Sequence, residues 1–234
     1  YSGKAKSVYR TDDPGVYIMK FRDDITAFDG EKKDTLRGKG IYNAEVSSFF
    51  FRYLEEHGIR THYLESIEPG TMAVRALEMI PLEVIVRNIA AGSLVRKYPF
   101  GEGEPLDPPV IIIDYKSDAL HDPMLNDDLI FALRLAAPEE LDLIKATALA
   151  INEMLREYLD ARGITLVDFK LEFGRDNGDI VVGDEISMDS MRLWDKETGA
   201  SLDKDVYRFS KGDVMETYAS VARRILPLPR GETA

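Results

Sequence analysis

Cysteine is absent from the 234-residue sequence, and histidine occurs only three times. The lack of thiols excludes a disulfide framework and any thiolate metal site. The three histidines, His57, His62 and His121, also argue against a histidine-rich zinc centre. These absences favour a cytoplasmic protein.

Long hydrophobic runs are missing as well. No apolar segment approaches the roughly 20 residues that a membrane-spanning helix needs. The first residues, Tyr1-Ser2-Gly3-Lys4, contain neither a signal-peptide apolar region nor an initiator methionine, so we expect a few native residues to precede them. A hydrophobic share of 44% and a charged share of 31% are typical of a soluble globular enzyme with one large domain or two small lobes.

Basic residues are in short supply, since 30 lysines and arginines stand against 42 acids and give a formal net charge of −12. A surface of this sign repels nucleic acids and anionic membranes, so we expect neither as a partner. A protein of this composition that binds phosphate groups must use local basic side chains or a metal ion.

The apolar pattern mixes antiparallel strand pairs with helices, which predicts an α+β fold. Helices are predicted at residues 42–57, 138–162 and 213–226. Residues 22–40 are too charged and too often interrupted by glycine to belong to the core. Four prolines and two glycines predict a loop at 99–109. Strands at 165–173 and 179–187 flank Arg175-Asp176-Asn177-Gly178, which is a hairpin signal.

Residues 166–174, with the sequence LVDFKLEFG, alternate between apolar and charged side chains. Strand side chains alternate between faces, so Asp168, Lys170 and Glu172 share one face and four apolar groups fill the other. Taken alone, this pattern favours a solvated sheet face. The following strand places Asp184 on an otherwise aliphatic face, where an acid is costly unless it has a counter-charge or a metal. Glu172 and Asp184 close together would suit Mg²⁺.

This metal site depends on the register of the two strands. In an antiparallel pair, Glu172 and Asp184 share a face only if paired positions sum to an even number. A two-residue Asn177-Gly178 loop gives an odd sum, so we predict a three-residue loop, Asp176-Asn177-Gly178, or a bulge. A regular hairpin with the two acids on opposite faces would contradict the metal site.

Two further segments are typical of anion binding. Gly3-Lys4-Ala5-Lys6 precedes a strand and could cradle phosphates, although its spacing is not that of a Walker A motif and a solvated terminus explains it equally well. In residues 84–98, a strand ends at Arg87, and small residues lead to Ser93 at the start of a short helix. Tight backbone packing would explain the small residues there, but not the arginine or the serine.

Together, these segments resemble the SAICAR synthetase family of phosphoribosylaminoimidazole-succinocarboxamide synthases. The matching segments, in family order over nearly the whole chain, are GKAKSVY, AFDG (27–30), IPLEVIVRNIAAGS (80–93), HDP (121–123), LVDFKLEFG (166–174), GDEIS (183–187) and RLWD (192–195). Met188 departs from the family pattern, which usually has proline at this position. That departure replaces no proposed ligand.

The resemblance implies a two-lobed, ATP-grasp-like α+β fold with antiparallel sheets and flanking helices. A β-rich ATP-binding lobe would span 1–79, and a larger lobe at 80–234 would carry the metal and nucleotide-substrate sites. The implied reaction joins L-aspartate to the carboxylate of carboxyaminoimidazole ribonucleotide through an acyl phosphate, giving SAICAR, ADP and phosphate in de novo purine synthesis. ATP and Mg²⁺ are the implied cofactors, and a homodimer is the implied assembly. A small-molecule kinase and a non-catalytic nucleotide-binding module stay open as alternatives.

The resemblance also implies roles for the residues at matching positions. The ATP-binding residues would be Lys4, Ala5, Lys6, Leu77 and Met79, with the last two near the adenine. The metal ligands would be Glu172 and Asp184. The catalytic residues would be Lys170, facing the reacting groups, and Asp168 in support. The remaining substrate-binding residues would be Asp29, Arg87, Ser93, Arg192 and Arg208 for the nucleotide, with Lys116 and Asp122 on the aspartate side.

Overall fold

The computed structural model describes residue 3 and residues 5–227, without the side chain of Asp29. The strands in this part of the chain are β1 (Lys6–Arg10), β2 (Val16–Phe21), β3 (Asp24–Ala27), β4 (Lys32–Thr35), β5 (Tyr63–Glu68), β6 (Thr71–Arg75), β7 (Glu78–Ile89), β8 (Pro105–Tyr115), β9 (Met124–Leu125), β10 (Ile164–Asp176), β11 (Asp179–Gly183) and β12 (Met191–Asp195). The helices are α1 (Lys39–Glu56), α2 (Ser93–Lys97), α3 (Asp127–Ala132), α4 (Pro138–Asp160), α5 (Asp205–Arg208) and α6 (Val214–Ile225). None of these helices is long and apolar enough to cross a membrane.

The strands form two main antiparallel sheets. The first has the order β1-β2-β6-β5, and the second has the order β11-β10-β7-β8-β9 with β12 also paired to β10. β3 and β4 form a separate hairpin. β10 is the central strand of the second sheet, because it pairs with β7 on one edge and with β11 and β12 on the other. The predicted α+β class with antiparallel sheets and flanking helices is confirmed.

Helix α4 covers the apolar face of the second sheet. It begins with Pro138 in its first turn, and the Glu140 carboxylate accepts a hydrogen bond of 2.8 Å from the backbone N–H of Ala137. Its apolar stripe, which includes Leu141, Ile144 and Ile151, is buried. Full burial of each such side chain stabilises the fold by about 1.5–3 kcal/mol.

The alternation in β10 sorts its side chains as the sequence predicts. Val167, Phe169, Leu171 and Phe173 are all buried in the hydrophobic core on the side of α4. The charged residues of β10 therefore face away from that core. On that side, a cavity separates them from β1 and β2 of the first sheet.

Two sequence expectations about the fold are wrong. Residues 22–40 do contribute to the core, because the β3–β4 hairpin turns Ile25 and Ala27 inward and Lys39 is completely buried at the start of α1. A period-two pattern over four residues is too short to stand out among charged neighbours. The predicted loop at 99–109 also ends early, since β8 starts at Pro105. A proline is tolerated at the first position of a strand, and Pro105 occupies that position.

Candidate functional site

A cavity of about 610 Å³ lies between the two sheets. Its walls come from the start of β1, from β2, from the charged face of β7 and β10, and from the loop after β8. The lining residues are Gly3, Ala5, Lys6, Val8, Met19, Glu83, Lys116, Asp118, Asp122, Lys170, Glu172, Asp184 and Glu185. Most of the sequence-predicted ATP, metal and aspartate residues that the structure describes thus meet in one place.

The hairpin between β10 and β11 has a two-residue turn and a regular register, so the predicted three-residue loop or bulge is wrong. Asp176 pairs with Asp179 and Glu172 pairs with Gly183, while the turn residues Asn177 and Gly178 have φ values of 52° and 91°. Asn-Gly favours this geometry because both of its residues adopt positive φ at low cost.

Glu172 and Asp184 nevertheless line the same cavity. Asp184 lies one residue beyond the end of β11, and its φ of 62° is left-handed. The backbone turn frees Asp184 from the alternation of the strand, so the parity argument does not apply to it. Aspartate is among the few non-glycine residues enriched in this conformation.

Lys170 lies at the centre of the carboxylates. Its Nζ donates hydrogen bonds of 2.8 Å to Oε1 of Glu83 and of 2.8 Å to Oε1 of Glu172. Lys116 donates to the other oxygen of Glu172, which is 1% exposed. Burial opposes the charge on Lys170, but Glu172, Asp184 and Glu83 outweigh it and raise the pKa of Lys170 well above its usual value. The site therefore holds Lys170 protonated.

Lys6 bridges the two sheets. Its Nζ lies 2.6 Å from Oδ1 of Asp184 and 2.7 Å from Oε1 of Glu185. Burial works against ionisation of Asp184, but Lys6, Lys170 and Lys116 prevail and hold its pKa below the usual range. We use the name ammonium cluster for the three lysines and four acids that meet here, which are Lys6, Lys116, Lys170, Glu83, Glu172, Asp184 and Glu185.

A bound cation would have to use two carboxylates of this cluster. Among the described residues, no group of three or more His, Cys, Asp and Glu side chains is arranged to hold a metal ion. Oδ2 of Asp184 accepts no hydrogen bond from any described residue, whereas both oxygens of Glu172 accept from lysines. Lys116 is 44% exposed, so it can move away from Glu172. Two hard carboxylates plus substrate phosphates are a donor set that fits Mg²⁺.

Arginines occupy the other end of the charged face. Asp168 pairs in register with Arg87 of β7 and with Arg192 of β12, and its Oδ2 accepts from the two guanidinium groups at 2.6 Å and 2.5 Å. Arg87 also donates to Oγ of Ser93 at 2.9 Å. Burial raises the pKa of Asp168, although both arginines oppose that shift. Asp168 is thus ion-paired to arginines and forms no ion pair with Lys170.

Asp205 extends this arrangement. Its carboxylate accepts from Nε of Arg192 at 2.7 Å and from Nη1 of Arg208 at 2.6 Å. We call Arg87, Asp168, Arg192, Asp205 and Arg208 the guanidinium cluster. A Cβ atom on Gly92 would lie 2.6 Å from Nη2 of Arg192, so the small residue at this position allows the guanidinium to approach the backbone. Nε of Arg87 is buried and has no partner in the described part of the chain.

The remaining predicted residues are placed as follows. Leu77 and Met79 lie at the junction of β6 and β7. Leu77 packs closely on Gly174, because a Cβ atom added to Gly174 would lie 2.7 Å from the Cβ atom of Leu77. Asp122 lines the cavity and accepts a hydrogen bond of 2.8 Å from the backbone of Ser117. Lys4 lies outside the described residues, as does the side chain of Asp29.

Sequence reasoning missed Glu83 and Glu185, which both line the cavity. Glu83 could have been found, because it alternates with the buried Leu82 and Val84 and therefore shares the face of Arg87. No short-range pattern marks Glu185.

Comparisons with known proteins agree with this geometry. A family model described as SAICAR synthetase matches residues 1–225. The phosphoribosylaminoimidazole-succinocarboxamide synthase of Methanoculleus marisnigri is 83% identical over 234 residues, which is 100% of this chain and 97% of that protein. The synthase of Methanoregula boonei is 70% identical over 96% of this chain and 88% of its own length.

Solved structures give the same result. A SAICAR synthetase in complex with ADP superposes with a TM-score of 0.94 at 49% identity, over 100% of this chain and 98% of that one. The SAICAR synthetase of Pyrococcus horikoshii OT3 superposes with a TM-score of 0.91 at 49% identity, over 94% of this chain and 97% of that one. The fold is therefore ATP-grasp-like, as the family resemblance implies.

Proposed function

The chain belongs to the SAICAR synthetase family, and from that membership we propose that it catalyses the ATP-dependent ligation of L-aspartate to carboxyaminoimidazole ribonucleotide. The products would be SAICAR, ADP and phosphate, in a step of de novo purine biosynthesis. One observation carries the proposal: the charged face of β10 joins a lysine–carboxylate cavity to two arginines, Arg87 and Arg192, that share the carboxylate of Asp168. The lysine–carboxylate cavity suits a phosphoryl group that is transferred, and the arginines suit a phosphate that only anchors the substrate.

ATP is proposed to bind with its phosphates against Lys6 and the backbone of Ala5, together with Lys4, and with its adenine near Leu77 and Met79. The ADP-bound relative supports nucleotide binding by this fold. Glu172 and Asp184 would hold Mg²⁺. When bound, Mg²⁺ supplies neutralisation of phosphate charge.

The chemistry has two steps. A carboxylate is a poor acyl donor, so an oxygen of the ribonucleotide carboxylate first takes the γ-phosphoryl group, and ADP leaves. The aspartate amine then forms a bond to the acyl carbon, the carbon–oxygen bond to phosphate breaks, and the amine loses a proton. Lys170, held protonated, would donate to the charge that develops on the transferring group. Lys116 and Asp122 would orient the aspartate, because both line the cavity beside Lys170.

The ribonucleotide is proposed to bind along the guanidinium cluster. Arg87, Ser93 and Arg192 would grip its 5′-phosphate, with Asp29 and Arg208 completing the pocket. Asp168 would orient both arginines, since its Oδ2 accepts from each of them. In this arrangement Asp168 supports substrate binding more directly than it supports Lys170.

The proposal extends to the organisation of the protein. Residues 1–79 would form the ATP-binding lobe and residues 80–234 the larger lobe. We propose a cytoplasmic homodimer that binds neither nucleic acid nor membrane, in keeping with the net charge of −12. Light scattering on the purified protein tests the dimer.

An assay of ADP release tests the reaction. The enzyme is incubated with carboxyaminoimidazole ribonucleotide, ATP and Mg²⁺, with and without L-aspartate, and SAICAR is followed by mass spectrometry. We expect sustained ADP release and SAICAR formation only when aspartate is present. Equal ADP release without aspartate would indicate a kinase, and the absence of turnover with all substrates would indicate a binding module.

A further inference from the structure

Two adjacent acids bind Lys6, but their surroundings differ. Oδ1 of Asp184 accepts a hydrogen bond from Nζ of Lys6, and its Oδ2 accepts no hydrogen bond within the described chain. Glu185 has both oxygens occupied, since Oε1 accepts from Lys6 at 2.7 Å and Oε2 accepts from Oγ of Ser187 at 2.5 Å. Asp184 is therefore free to take a further ligand, whereas Glu185 is fixed.

The partners of Glu185 continue into the interior. Oγ of Ser187 accepts a hydrogen bond of 3.1 Å from the backbone N–H of Asp189. The Asp189 carboxylate in turn binds Nζ of Lys39 at 2.5 Å and the hydroxyl of Tyr218 at 2.7 Å. Lys39 and Tyr218 are both completely buried. A continuous chain of polar contacts thus runs from helices α1 and α6 to Lys6 on β1.

Backbone contacts on both sides of Lys39 direct its side chain into the interior. Asp23 accepts hydrogen bonds of 3.0 Å from the backbone N–H groups of Gly38 and Gly40, which fixes the entry into α1. Gly40 packs so tightly on β2 that a Cβ would lie 2.7 Å from the carbonyl oxygen of Phe21. These contacts direct the intervening Lys39 inward, towards Asp189.

Stability alone does not account for this arrangement. Removing an ion pair from water costs so much that well-packed apolar residues often stabilise a protein equally well. What the buried cluster of Lys39, Asp189 and Tyr218 provides is a fixed anchor directly behind Ser187 and Glu185. Two helices and the segment after β11 must all be in place before that anchor forms.

We propose that Glu185 is a positioning residue for Lys6, anchored through Ser187 to the cluster of Lys39, Asp189 and Tyr218. The inference rests on the proposed contact of Lys6 with ATP phosphates. Ligand binding would take Asp184 away from Lys6, because Oδ2 of Asp184 accepts no hydrogen bond from the described residues, whereas both oxygens of Glu185 are occupied. Glu185 then keeps the ammonium group pointing into the cavity, so the lysine is already oriented when the nucleotide arrives.

Ser187→Ala tests the chain at its middle. The dissociation constant of ADP is measured by calorimetry in the presence of Mg²⁺, together with both KM values, kcat and the melting temperature. Losing one hydrogen bond to a charged group should weaken ADP binding and raise the KM for ATP by about 10-fold. The KM for the ribonucleotide should not change, because the hydrogen bonds of the Ser187 hydroxyl in the described chain lead to Glu185 and Asp189 and to no residue of the guanidinium cluster. Ser187→Thr, which keeps the hydroxyl, should restore ADP binding.

Two tyrosines provide a matched comparison. Tyr218 and Tyr207 are both buried helical residues, and each donates to an aspartate, to Asp189 at 2.7 Å and to Asp34 at 2.8 Å. Tyr218→Phe should raise the dissociation constant of ADP by about three-fold, whereas Tyr207→Phe should change only the melting temperature. Equal effects of the two variants on ADP binding would overturn the inference.

Lys6→Met separates this inference from the proposed function. If Lys6→Met weakens ADP binding while Ser187→Ala and Tyr218→Phe only lower the melting temperature, the cluster is structural and the inference is wrong. If Lys6→Met leaves ADP binding unchanged, Lys6 does not contact the nucleotide. In that case the inference that Glu185 positions Lys6 for the nucleotide is also wrong. The ligase reaction is measured independently in the unaltered enzyme, so neither outcome is confused with a failure of the proposed function.

Discussion

The guanidinium cluster and the ammonium cluster both include side chains from the charged face of β7 and β10, but they differ in how freely their members can move. In the guanidinium cluster, Asp168 and Asp205 hold the three arginines through directed hydrogen bonds, and Arg87 is only 5% exposed. In the ammonium cluster, Lys116 is 44% exposed and Oδ2 of Asp184 accepts no hydrogen bond from any described residue. The guanidinium cluster is built before a ligand arrives, whereas Lys116 and Asp184 of the ammonium cluster can rearrange around the fixed Glu185.

The difference follows from the chemistry of the two cations. A guanidinium is a planar fork that matches phosphate and carboxylate oxygens in a fixed direction, while an ammonium is a point charge with three rotatable donors. A lysine can exchange a carboxylate for a phosphoryl oxygen without a backbone movement. Under the proposed function, the phosphate that only anchors the substrate faces the rigid cluster. The phosphoryl group that moves during the reaction faces the adaptable one.

Lys170→Met breaks the adaptable cluster at its centre and should have the largest effect. It removes the donor to the transferring group and leaves Glu83 and Glu172 without their shared counter-charge. We expect kcat to fall by about 10²–10³, the range found when one preorganised donor to developing charge is lost. Steady-state kinetics at saturating substrate measure this fall.

Lys145→Met is the control for Lys170→Met, because Lys145 pairs with Asp127 on the surface, away from the cavity. Its kcat should equal that of the unaltered enzyme. A Lys170→Met enzyme that folds and retains more than a tenth of the original kcat would show that the ammonium group does not act in the chemical step.

Arg87→Lys keeps the positive charge in the guanidinium cluster but removes the planar guanidinium group that can bind two oxygens at once. A lysine cannot serve Asp168, Ser93 and a phosphate in the geometry that Arg87 provides. We expect the KM for the ribonucleotide to rise by about 10–100-fold, since charged hydrogen bonds contribute about 1.5–3 kcal/mol each. The KM for ATP should not change. An equal rise in both KM values would contradict the assignment of separate phosphates to the two clusters.

Local sequence patterns predict the scaffold of both clusters. The alternation in β10 assigns Asp168, Lys170 and Glu172 to one face, because a strand that covers a core has a period of two. The proline and apolar stripe of α4 likewise predict the helix that covers the opposite face, with ends within two residues of those observed. Such features depend only on neighbours in the chain.

Contacts between distant segments are the part that sequence reasoning could not supply. Lys6 and Asp184 are 178 residues apart in sequence, and their contact depends on how the two sheets pack. For the two-residue loop that forms, the alternation of strand faces would place Asp184 on the face opposite Glu172. That argument fails because it assumes that the strand pairing continues past Gly183. The left-handed turn at Asp184 has no strong sequence signal, and the burial of Lys39 runs against its charge.

Asp184→Asn sharpens the comparison by removing one proposed metal ligand from the adaptable cluster. An amide oxygen is a weaker ligand for a hard cation than a carboxylate, so we expect the Mg²⁺ concentration for half-maximal activity to rise by about 10-fold. Titration of activity with Mg²⁺ at fixed ATP measures it. Asp176→Asn is the matched control, because Asp176 pairs with Arg60 outside the cavity. Identical Mg²⁺ requirements in the two variants would remove Asp184 from the metal site.

Glu140→Gln should have the smallest effect, because it breaks an arginine–carboxylate fork that belongs to neither cluster. Arg175 donates to both oxygens of Glu140, at 2.6 Å and 2.8 Å, and these bonds lower the pKa of Glu140 from 4.5 to about 2. We expect a loss of about 1–2 kcal/mol in the free energy of unfolding at pH 7, because solvent screens this partly exposed pair. The values of kcat and both KM should not change.

The sign of the pH dependence distinguishes this fork from simple packing. A carboxylate with a lowered pKa in the folded state contributes all of its stability above its ordinary pKa and loses it as the pH falls. The difference in unfolding free energy between the unaltered protein and Glu140→Gln should therefore be constant above about pH 5 and shrink as the pH falls from 4.5 towards 2. Urea denaturation across this range measures it. A constant difference would mean that Glu140 stabilises the fold through its packing and not through its charge.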